Sequence, residues 1–409
     1  MDRMQTSSDR ILTSHAGSLP RPDDLIELNA ARLTAGMPVD EQAFQDRLRE
    51  AVADLVVRQR DTGIDVPNDG EYGHAMGGKI NYEAWWTYLF ERLGGLEISD
   101  VPDSELPVRR SEPGKIVLTT SFSDRRDKHL FPAAYNDPDG VMASMGPAPA
   151  ALVCCAALTY TGQDAVRRDI ANIKAAMAAA GVEEGFLNAV APGTCADFQN
   201  DYYKDEEELL WAAADAMREE YRAIVDAGLI LQLDDPCIAE NWDRILPEPT
   251  VEDYQRFTRV RVEALNHAIR GLPEDRIRFH LCWGSWHGPH VTDIPMRDIV
   301  EVMLQVNAGA YLFEAANVRH EHEWNVWRDV KLPDGKIIMP GVVSHATSLV
   351  EHPELVADRI LRFAEGVGRE NVIAGTDCGL GGRVHPEIAW AKLESLVRGA
   401  ELATSRLWD

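Results

Sequence analysis

The amino-acid sequence predicts an α/β protein built as a (β/α)8 TIM barrel. Short apolar runs alternate along most of the chain with longer segments in which apolar residues recur every three or four positions. Such alternation is typical of parallel strands that alternate with helices. The short runs are apolar throughout, as expected where both faces of a sheet are covered. About eight such units favour a closed barrel, and a doubly wound open sheet is the main alternative.

The strand candidates are clearest in the C-terminal half of the chain. Each is a short run rich in β-branched residues that ends at polar residues. The clear candidates cover residues 229–233, 277–282, 310–313, 337–343 and 372–374, and the weaker ones cover 64–66, 115–119 and 186–190.

Helices are predicted where the apolar period matches 3.6 residues. Three of the four clearest candidates are followed by a glycine that can end a helix, namely Gly63, Gly181 and Gly228. The fourth opens at Thr250 with Asp253 three residues later, which is the spacing of a capping box. The four periodic segments cover residues 44–56, 166–177, 210–224 and 254–269.

The length of 409 residues exceeds the roughly 250 residues that a bare barrel requires. We interpret residues 72–150 as a long insertion that covers the barrel mouth, within a single domain of residues 1–409. This segment contains the pair Gly77-Gly78, an aromatic cluster between Tyr82 and Phe90, and proline-rich stretches.

Composition excludes several classes of function. The net charge of −26 argues against binding of nucleic acid or anionic membranes, because such binding requires basic residues that neutralise phosphates. No run approaches 18 apolar residues, so no membrane span is predicted. The polar N-terminus is unlike a signal peptide. Six cysteines are too few for a disulfide framework, which favours reduced thiols in a cytoplasmic protein.

Metal-ligand side chains stand at the C-terminal ends of three predicted strands, where barrel active sites lie. His280 and Cys282 are two residues apart on one strand and therefore face the same side. Glu314 ends the next strand, and Cys378 follows the last. One imidazole, two thiolates and a carboxylate form a donor set typical of zinc. A single His-x-Cys pair is more often a core pair, but the two further ligands favour a metal site.

Other candidates are weaker when taken one at a time. Asp-Asp-Pro at 234–236 and Asp-Gly-Glu at 69–71 end predicted strands, and a glycine-bearing loop covers 14–21. His-x-x-His at 287–290 and His-Glu-His at 320–322 suggest a second metal site, but both lie in predicted loops, which favours a solvated or lid role. Tryptophans that follow the ligand-bearing strands either line a pocket or pack, namely Trp283, Trp286, Trp324 and Trp327.

Taken in order, these motifs resemble the C-terminal catalytic barrel of cobalamin-independent methionine synthase, of the short single-barrel type, which is related to epoxyalkane:coenzyme M transferase. The resemblance spans nearly the whole chain, and the ordered combination is more specific than any one motif. The matching motifs are Gly17-Ser18-Leu19-Pro20, Gly70-Glu71, Asp234-Asp235-Pro236, His280-x-Cys282, Glu314 and Asp377-Cys378-Gly379-Leu380.

The resemblance implies residue roles. It implies zinc as the cofactor, and Ser18, Glu71 and Asp234 match positions that hold the backbone of homocysteine. Asp234 and His345 are the candidates for catalysis, although His345 lies one position earlier than the histidine of the family's Gly-Val-x-x-x-His stretch. The implied zinc ligands are His280, Cys282, Glu314 and Cys378.

The resemblance also implies the reaction. We expect zinc-dependent transfer of a methyl group to a thiol, with homocysteine as the acceptor and a methylated folate, a corrinoid or a small electrophile as the donor. The chain has no room for the additional barrel that helps to hold folate in long-form enzymes. One alternative is attack of a thiol on an epoxide or an alkyl or aryl ether, and a remote one is a non-catalytic barrel with structural zinc. The sequence predicts small-molecule partners, no nucleic acid and no membrane.

Overall fold

A parallel sheet of seven strands forms the body of the protein, with the strand order β1-β10-β9-β8-β7-β6-β4. The computed structural model describes residues 3–33, 40–76, 84–99, 101, 105–106, 108–119, 124–137, 139–140 and 152–409. The strands are β1 (Leu12–Thr13), β2 (Leu93–Ile98), β3 (Leu152–Tyr160), β4 (Phe186–Val190), β5 (Gln199–Asn200), β6 (Ile230–Asp235), β7 (Ile277–Leu281), β8 (Ala310–Phe313), β9 (Ile337–Val343) and β10 (Ile373–Thr376).

Residues 65–68 fill the gap between β1 and β4 and complete the ring. The Val66 backbone N–H donates to the Thr13 carbonyl (3.2 Å), and the Phe186 N–H donates to the Pro67 carbonyl (3.1 Å). Asn68 forms a parallel bridge with Phe186. The weak strand candidate 64–66 therefore overlaps the segment that occupies the eighth position. The predicted fold class is confirmed. At the eighth position, a few hydrogen bonds on each side of residues 65–68 replace a long ladder of strand pairing.

A smaller sheet lies outside the ring and contains β2, β3 and β5. Strands β2 and β3 pair in antiparallel fashion, and β3 pairs with β5 in parallel. The predicted strand 115–119 belongs to neither sheet: Lys115 forms only a bridge with Glu112, and the Thr119 N–H donates to the Arg244 carbonyl. That prediction was wrong, because local β propensity does not supply a neighbouring strand.

The helices surround the sheet and end where their capping residues predict. Gly63 ends α2 in a left-handed conformation with φ 100°, and Gly181 ends α6 with φ 67°. The Thr250 side chain accepts from the Asp253 N–H at the start of α9 (3.1 Å). The helices are α1 (Asp23–Leu33), α2 (Glu41–Thr62), α3 (Ala84–Arg92), α4 (Arg126–Leu130), α5 (Pro132–Asn136), α6 (Gln163–Ala180), α7 (Pro192–Cys195), α8 (Glu206–Asp226), α9 (Val251–Ala268), α10 (Met296–Met303), α11 (Val326–Asp329), α12 (Pro353–Val367) and α13 (Pro386–Trp408).

The described part of the predicted insertion contacts loops at the C-terminal ends of the strands. The Asp127 carboxylate, at the start of α4, accepts from the backbone N–H groups of His290 and Val291, both at 3.2 Å, and from the Tyr135 hydroxyl at 2.9 Å. These contacts place α4 over the loop that follows β7. Gly77, Gly78 and Tyr82 of this segment lie outside the described residues.

The inside of the ring contains a layer of buried apolar side chains. They come from several strands and include Leu12, Phe186, Ile230, Leu312 and Met339. Buried polar residues, described below, share the interior with this layer. No helix among the described residues is both long and apolar enough to cross a membrane.

Candidate metal centre

His280, Cys282 and Cys378 meet at the C-terminal ends of β7 and β10. Their ligand atoms all lie within 4.8 Å of one another, and His280 and Cys282 are buried. The two sulfur atoms are 4.0 Å apart. In the part of the chain that the structure describes, this is the only group of three such side chains that could hold a metal ion. The structure therefore brings together three of the four predicted ligands.

The orientation of His280 leaves one ring nitrogen free for a ligand. Its Nδ1 lies 2.8 Å from Oδ1 of Asp234, whereas its Nε2 is buried and has no hydrogen-bond partner in the structure. Buried polar atoms are rarely left without a partner. A metal-binding histidine usually donates its other N–H to a carboxylate, which is the arrangement found here.

The two thiols share hydrogen bonds from the loop after β7. Sγ of Cys282 accepts from the Gly284 N–H (3.2 Å) and lies 3.2 Å from the Ser285 hydroxyl. The pKa of Cys378 is lowered chiefly by a hydrogen bond from the Cys282 thiol and also by the nearby His280. The pKa of Cys282 is raised by the neighbouring Cys378 sulfur and by burial. Cys378 thus holds negative charge readily, whereas a cation bound beside the pair would favour ionisation of Cys282 as well, since the thiolate is the form that binds metal.

Glu314 lies close to this group but outside it. Its Oε1 accepts from the Trp283 N–H and the Ser285 hydroxyl, both at 3.1 Å, and its Oε2 accepts from the Asn317 amide at 2.8 Å. Burial, followed by the charges of Asp377 and Cys378, raises the pKa of Glu314 to about 7. Its role as a fourth ligand stays a prediction.

Asp377 fixes the loop that carries Glu314. Its Oδ1 accepts from the N–H groups of Ala315 and Ala316, both at 2.7 Å, and its Oδ2 accepts from the Asn317 N–H at 2.8 Å. Asp377 directly precedes Cys378. Because of these three bonds, the ends of β8 and β10 are held to one another beside the site.

Ser18 and Glu71 lie near Cys378, since a Cβ placed on Gly379 would lie 2.7 Å from Cβ of Ser18 and the charge of Cys378 acts on Glu71. The Ser18 carbonyl accepts from the N–H groups of Leu380 and Gly381, both at 2.9 Å, which joins the loop after β1 to the loop after β10. A Cβ placed on Gly17 would lie 2.6 Å from Oε1 of Glu71 and would also collide with the Asn188 amide. The Glu71 carboxylate therefore packs against the backbone of the predicted substrate loop.

The charge of Glu71 is poorly compensated within the protein. Burial and the nearby negative charge of Asp234 raise the pKa of Glu71 to about 8. The side chain of Asp234 remains 25% exposed, so this carboxylate is accessible to solvent. A cationic group bound beside the two carboxylates would lower the pKa of Glu71 and favour its charged form.

His345 is buried in the loop after β9, and its Nδ1 has no hydrogen-bond partner in the structure. Its pKa lies well below the ordinary value because of burial and because the cationic side chain of Arg383 is near. The imidazole is therefore neutral. The structure shows no hydrogen bond from His345 to the three grouped ligands, and its catalytic role stays a prediction.

Two of the four histidines in these motifs, His290 and His320, pair with Asp293, and His287 lies 3.0 Å from the Arg383 carbonyl. Asp293 Oδ2 lies 2.9 Å from Nδ1 of His290 and 3.1 Å from Nε2 of His320. His320 is buried, not solvated. The ring of Trp286 has the Arg125 guanidinium at 3.9 Å and the His290 ring at 3.8 Å. This tryptophan packs between neighbours rather than lining an open pocket.

Sequence reasoning missed a set of buried polar residues below the site, namely Asn188, Gln232 and Arg278. Gln232 Nε2 donates to Oδ1 of Asp234 (2.7 Å), and Asn188 Nδ2 donates to its Oδ2 (2.8 Å). A signal was present, because Gln232 and Arg278 stand two residues before Asp234 and His280 and so face the same side of their strands.

Comparison with known proteins agrees with this geometry. A family model described as "Cobalamin-independent synthase, Catalytic domain" matches residues 153–402. The chain is similar to the methionine synthase of Saccharolobus solfataricus, with 23% identity over 97% of this chain and 95% of the relative. It is also similar to that of Thermococcus kodakarensis, with 22% identity over 97% of this chain and 94% of the relative.

A solved structure supports the same fold. A B12-independent methionine synthase from Shewanella sp. W3-18-1, in complex with selenomethionine, superposes with a TM-score of 0.68. The two chains share 22% identity, and the match covers 97% of this chain and 99% of the other. Together with the family match over more than half of the sequence, these findings show that the chain belongs to the cobalamin-independent methionine synthase family.

Proposed function

We propose that this protein transfers a methyl group to the thiol of homocysteine, with zinc held by His280, Cys282 and Cys378. The observation that carries the proposal is the unpartnered Nε2 of His280, which is buried beside two sulfur atoms 4.0 Å apart. Two Zn–S bonds of about 2.3 Å at a tetrahedral angle place sulfur atoms about 3.8 Å apart, so the pair fits this ion.

Zinc, when bound, would keep an incoming thiol deprotonated and nucleophilic at neutral pH. The protein side chains supply orientation. Asp234 holds the His280 ring through Nδ1, and Glu71 and Asp234 together offer negative charge to the ammonium group of the acceptor. Ser18, joined by its carbonyl to the loop after β10, is our candidate to bind the acceptor's carboxylate.

In the transfer, the acceptor's sulfur bonds to the methyl carbon as the bond between that carbon and the donor breaks. The proton of the thiol leaves, and the donor's leaving group takes up a proton. We assign this proton transfer to His345, which is neutral and buried, with a free Nδ1. Glu314 is our candidate for a fourth zinc ligand, whose place the acceptor's sulfur would take.

The donor is a methylated folate, a corrinoid or a small electrophile. All six cysteines are free, which supports a reducing compartment, and we include a cytoplasmic location in the proposal. The test is a Cys378→Ser variant, measured for zinc content and for methyl transfer to homocysteine with each donor class. We expect loss of both, because the substitution removes one sulfur ligand.

The matched control is Cys195→Ser, which alters a buried free cysteine in α7. It should retain zinc and activity. Full activity of Cys378→Ser, or less than about half an equivalent of zinc in the wild-type protein, would overturn the proposal. Reaction of a thiol with a small epoxide, in the absence of methyl transfer, would favour the alkyltransferase alternative.

A further inference from the structure

Arg278 is a buried cation inside the barrel, below the candidate metal centre. It lies on β7 two residues before His280 and is 1% exposed. Its Nε donates to Oε1 of Gln232 (2.6 Å), its Nη1 to the Ser14 hydroxyl (3.0 Å) and its Nη2 to the His15 carbonyl (2.6 Å). All three partners are neutral, and burying a charge is costly without strong compensation. This placement calls for a reason beyond packing.

The guanidinium decides which way the Gln232 amide points. A guanidinium can only donate hydrogen bonds, so the oxygen of Gln232 must face Arg278 and its NH₂ group must face away. That NH₂ group donates to Oδ1 of Asp234 (2.7 Å) and to the Ala16 carbonyl (2.6 Å). Arg278 thus orients the Gln232 NH₂ group toward the Asp234 carboxylate and toward the loop that carries Ser18.

Asp234 connects Gln232 to His280. Its Oδ1 receives Gln232 and faces Nδ1 of His280, while its Oδ2 receives the Asn188 amide. With the carboxylate held on both oxygens, the ring of His280 is held in place through Nδ1. Nε2 is then the nitrogen left for a metal ion beside the two sulfur atoms.

We propose that Arg278 and Gln232 are positioning residues that orient Asp234, and through it both the metal-binding nitrogen of His280 and the acceptor pocket. The inference rests on the proposed function, because it assumes zinc at His280, Cys282 and Cys378. It assigns to this chain a continuous series of hydrogen bonds, from Arg278 to Gln232 to Asp234 to His280.

The test compares Gln232→Met and Arg278→Met with the wild-type protein, using the full chain stripped of metal. Zinc affinity is measured by competition with a chromophoric chelator, and Co²⁺ is added to record its visible absorption. We expect a loss of zinc affinity of up to about 10-fold in both variants, less than the 10- to 100-fold typical for a direct partner of a metal ligand, because both residues act on His280 through Asp234. We also expect altered Co²⁺ bands, and a larger change in KM for homocysteine than in kcat.

The matched control is Arg276→Met, which removes another buried arginine near β7, one that pairs with Glu184 at 3.1 Å. It should lower thermal stability and leave zinc affinity and the Co²⁺ spectrum as in the wild type. If Arg278→Met does not fold, Gln232→Met decides alone, since it retains the bonds from Arg278 to Ser14 and His15.

Wild-type zinc affinity and Co²⁺ bands in Gln232→Met would overturn the inference, as would an equal loss of affinity in Arg276→Met. If the proposed function itself were wrong, the result would be different, because the wild-type protein would then bind no zinc. The zinc affinity of the double variant should be no lower than that of the single variant with the lower affinity, because both residues act along one series of bonds.

Discussion

Glu71 adopts a left-handed backbone conformation, which is uncommon outside glycine. Its φ is 59°, and the preceding Gly70 has φ 67°. The turn is held by a bond from the Glu71 N–H to Oδ1 of Asp69 (3.0 Å) and by a bond from the Arg21 guanidinium to the Glu71 carbonyl. Such conformations cost free energy and are found at functional sites. Here the turn positions the carboxylate that we propose for binding the ammonium group of the acceptor.

Glu71→Gln should raise KM for homocysteine by roughly 10- to 100-fold, because a charged hydrogen bond contributes about 1.5–3 kcal/mol. Zinc content should not change, and kcat should change less than KM. Steady-state kinetics with homocysteine and with 4-mercaptobutanoate, which lacks the ammonium group, measure the effect. The amine-free thiol should show little further loss in the variant.

A suitable control is Glu184→Gln, which alters a buried carboxylate paired with Arg276 away from the pocket. An equal rise of KM in that variant, or for both thiols in Glu71→Gln, would contradict the role of Glu71 in binding ammonium.

Single residues were predictable where geometry is local. His280 and Cys282 could be predicted because two-residue spacing on a strand fixes a shared face, and Cys378 because it ends an apolar run. Arg278 and Gln232 were not predicted, because a long polar side chain within a strand is ordinarily read as facing solvent. The two-residue spacing from His280 and Asp234 was the signal, and the closed ring shows that both side chains face its interior.

The loop between β7 and α10 is the element on which the site most depends. It supplies the Gly284 N–H to Cys282, and the Ser285 hydroxyl to Glu314. Its far end is held by Asp127 of α4. We propose that residues 72–150 are an insertion within a single domain, and that one of their roles is to hold this loop in place.

Asp127→Ala should loosen the loop, because three donors would lose a buried acceptor, namely the His290 and Val291 N–H groups and the Tyr135 hydroxyl. Each unsatisfied group costs about 1–3 kcal/mol, and the losses are not additive. Hydrogen exchange should accelerate in residues 284–293, as measured by mass spectrometry. Asp127→Asn retains one acceptor oxygen and should show a smaller effect, so equal exchange in both variants would argue against this account.

Elements were predicted where a clear apolar run or a capping residue marks them, although the nine-residue β3 was missed. The bounds of β4, β8 and β9 match the apolar runs, and the ends of α2 and α6 match their glycines. Strand β1 was missed because a two-residue strand carries no periodic signal. The run at 115–119 was wrongly predicted as a strand because no strand of either sheet pairs with it.

At the scale of the whole molecule, buried neutral histidines should set the acid limit of stability. His15 is 1% exposed, its Nε2 lies 2.7 Å from the Gln59 carbonyl oxygen, and burial lowers its pKa to about 3. The unfolded chain binds a proton at this residue near pH 6.5. Stability from His15 is therefore complete above about pH 6.5 and is lost as the pH falls toward about 3.

His15→Gln should make the protein less sensitive to acid. Between about pH 6 and pH 4, the free energy of unfolding of the wild type should fall faster than that of the variant, by about 1.4 kcal/mol per pH unit. Urea unfolding at several pH values provides the measurement. Buried acids with a raised pKa, such as Glu71, oppose this trend in both proteins and cancel in the comparison. Parallel curves for the two proteins would contradict the assignment.

The three grouped ligand atoms all come from the ends of β7 and β10, whereas α4 reaches the mouth only from outside, through contacts such as those of Asp127. The metal-ligand side chains and the contacts that hold the loop after β7 thus come from separate parts of the chain. On the proposed assignment of residues 72–150 as an insertion, a change within it would alter the surroundings of the metal centre and leave its three ligand atoms in place. For protein engineering, replacing this segment with its counterpart from a relative would test whether donor choice depends on it without touching the metal ligands.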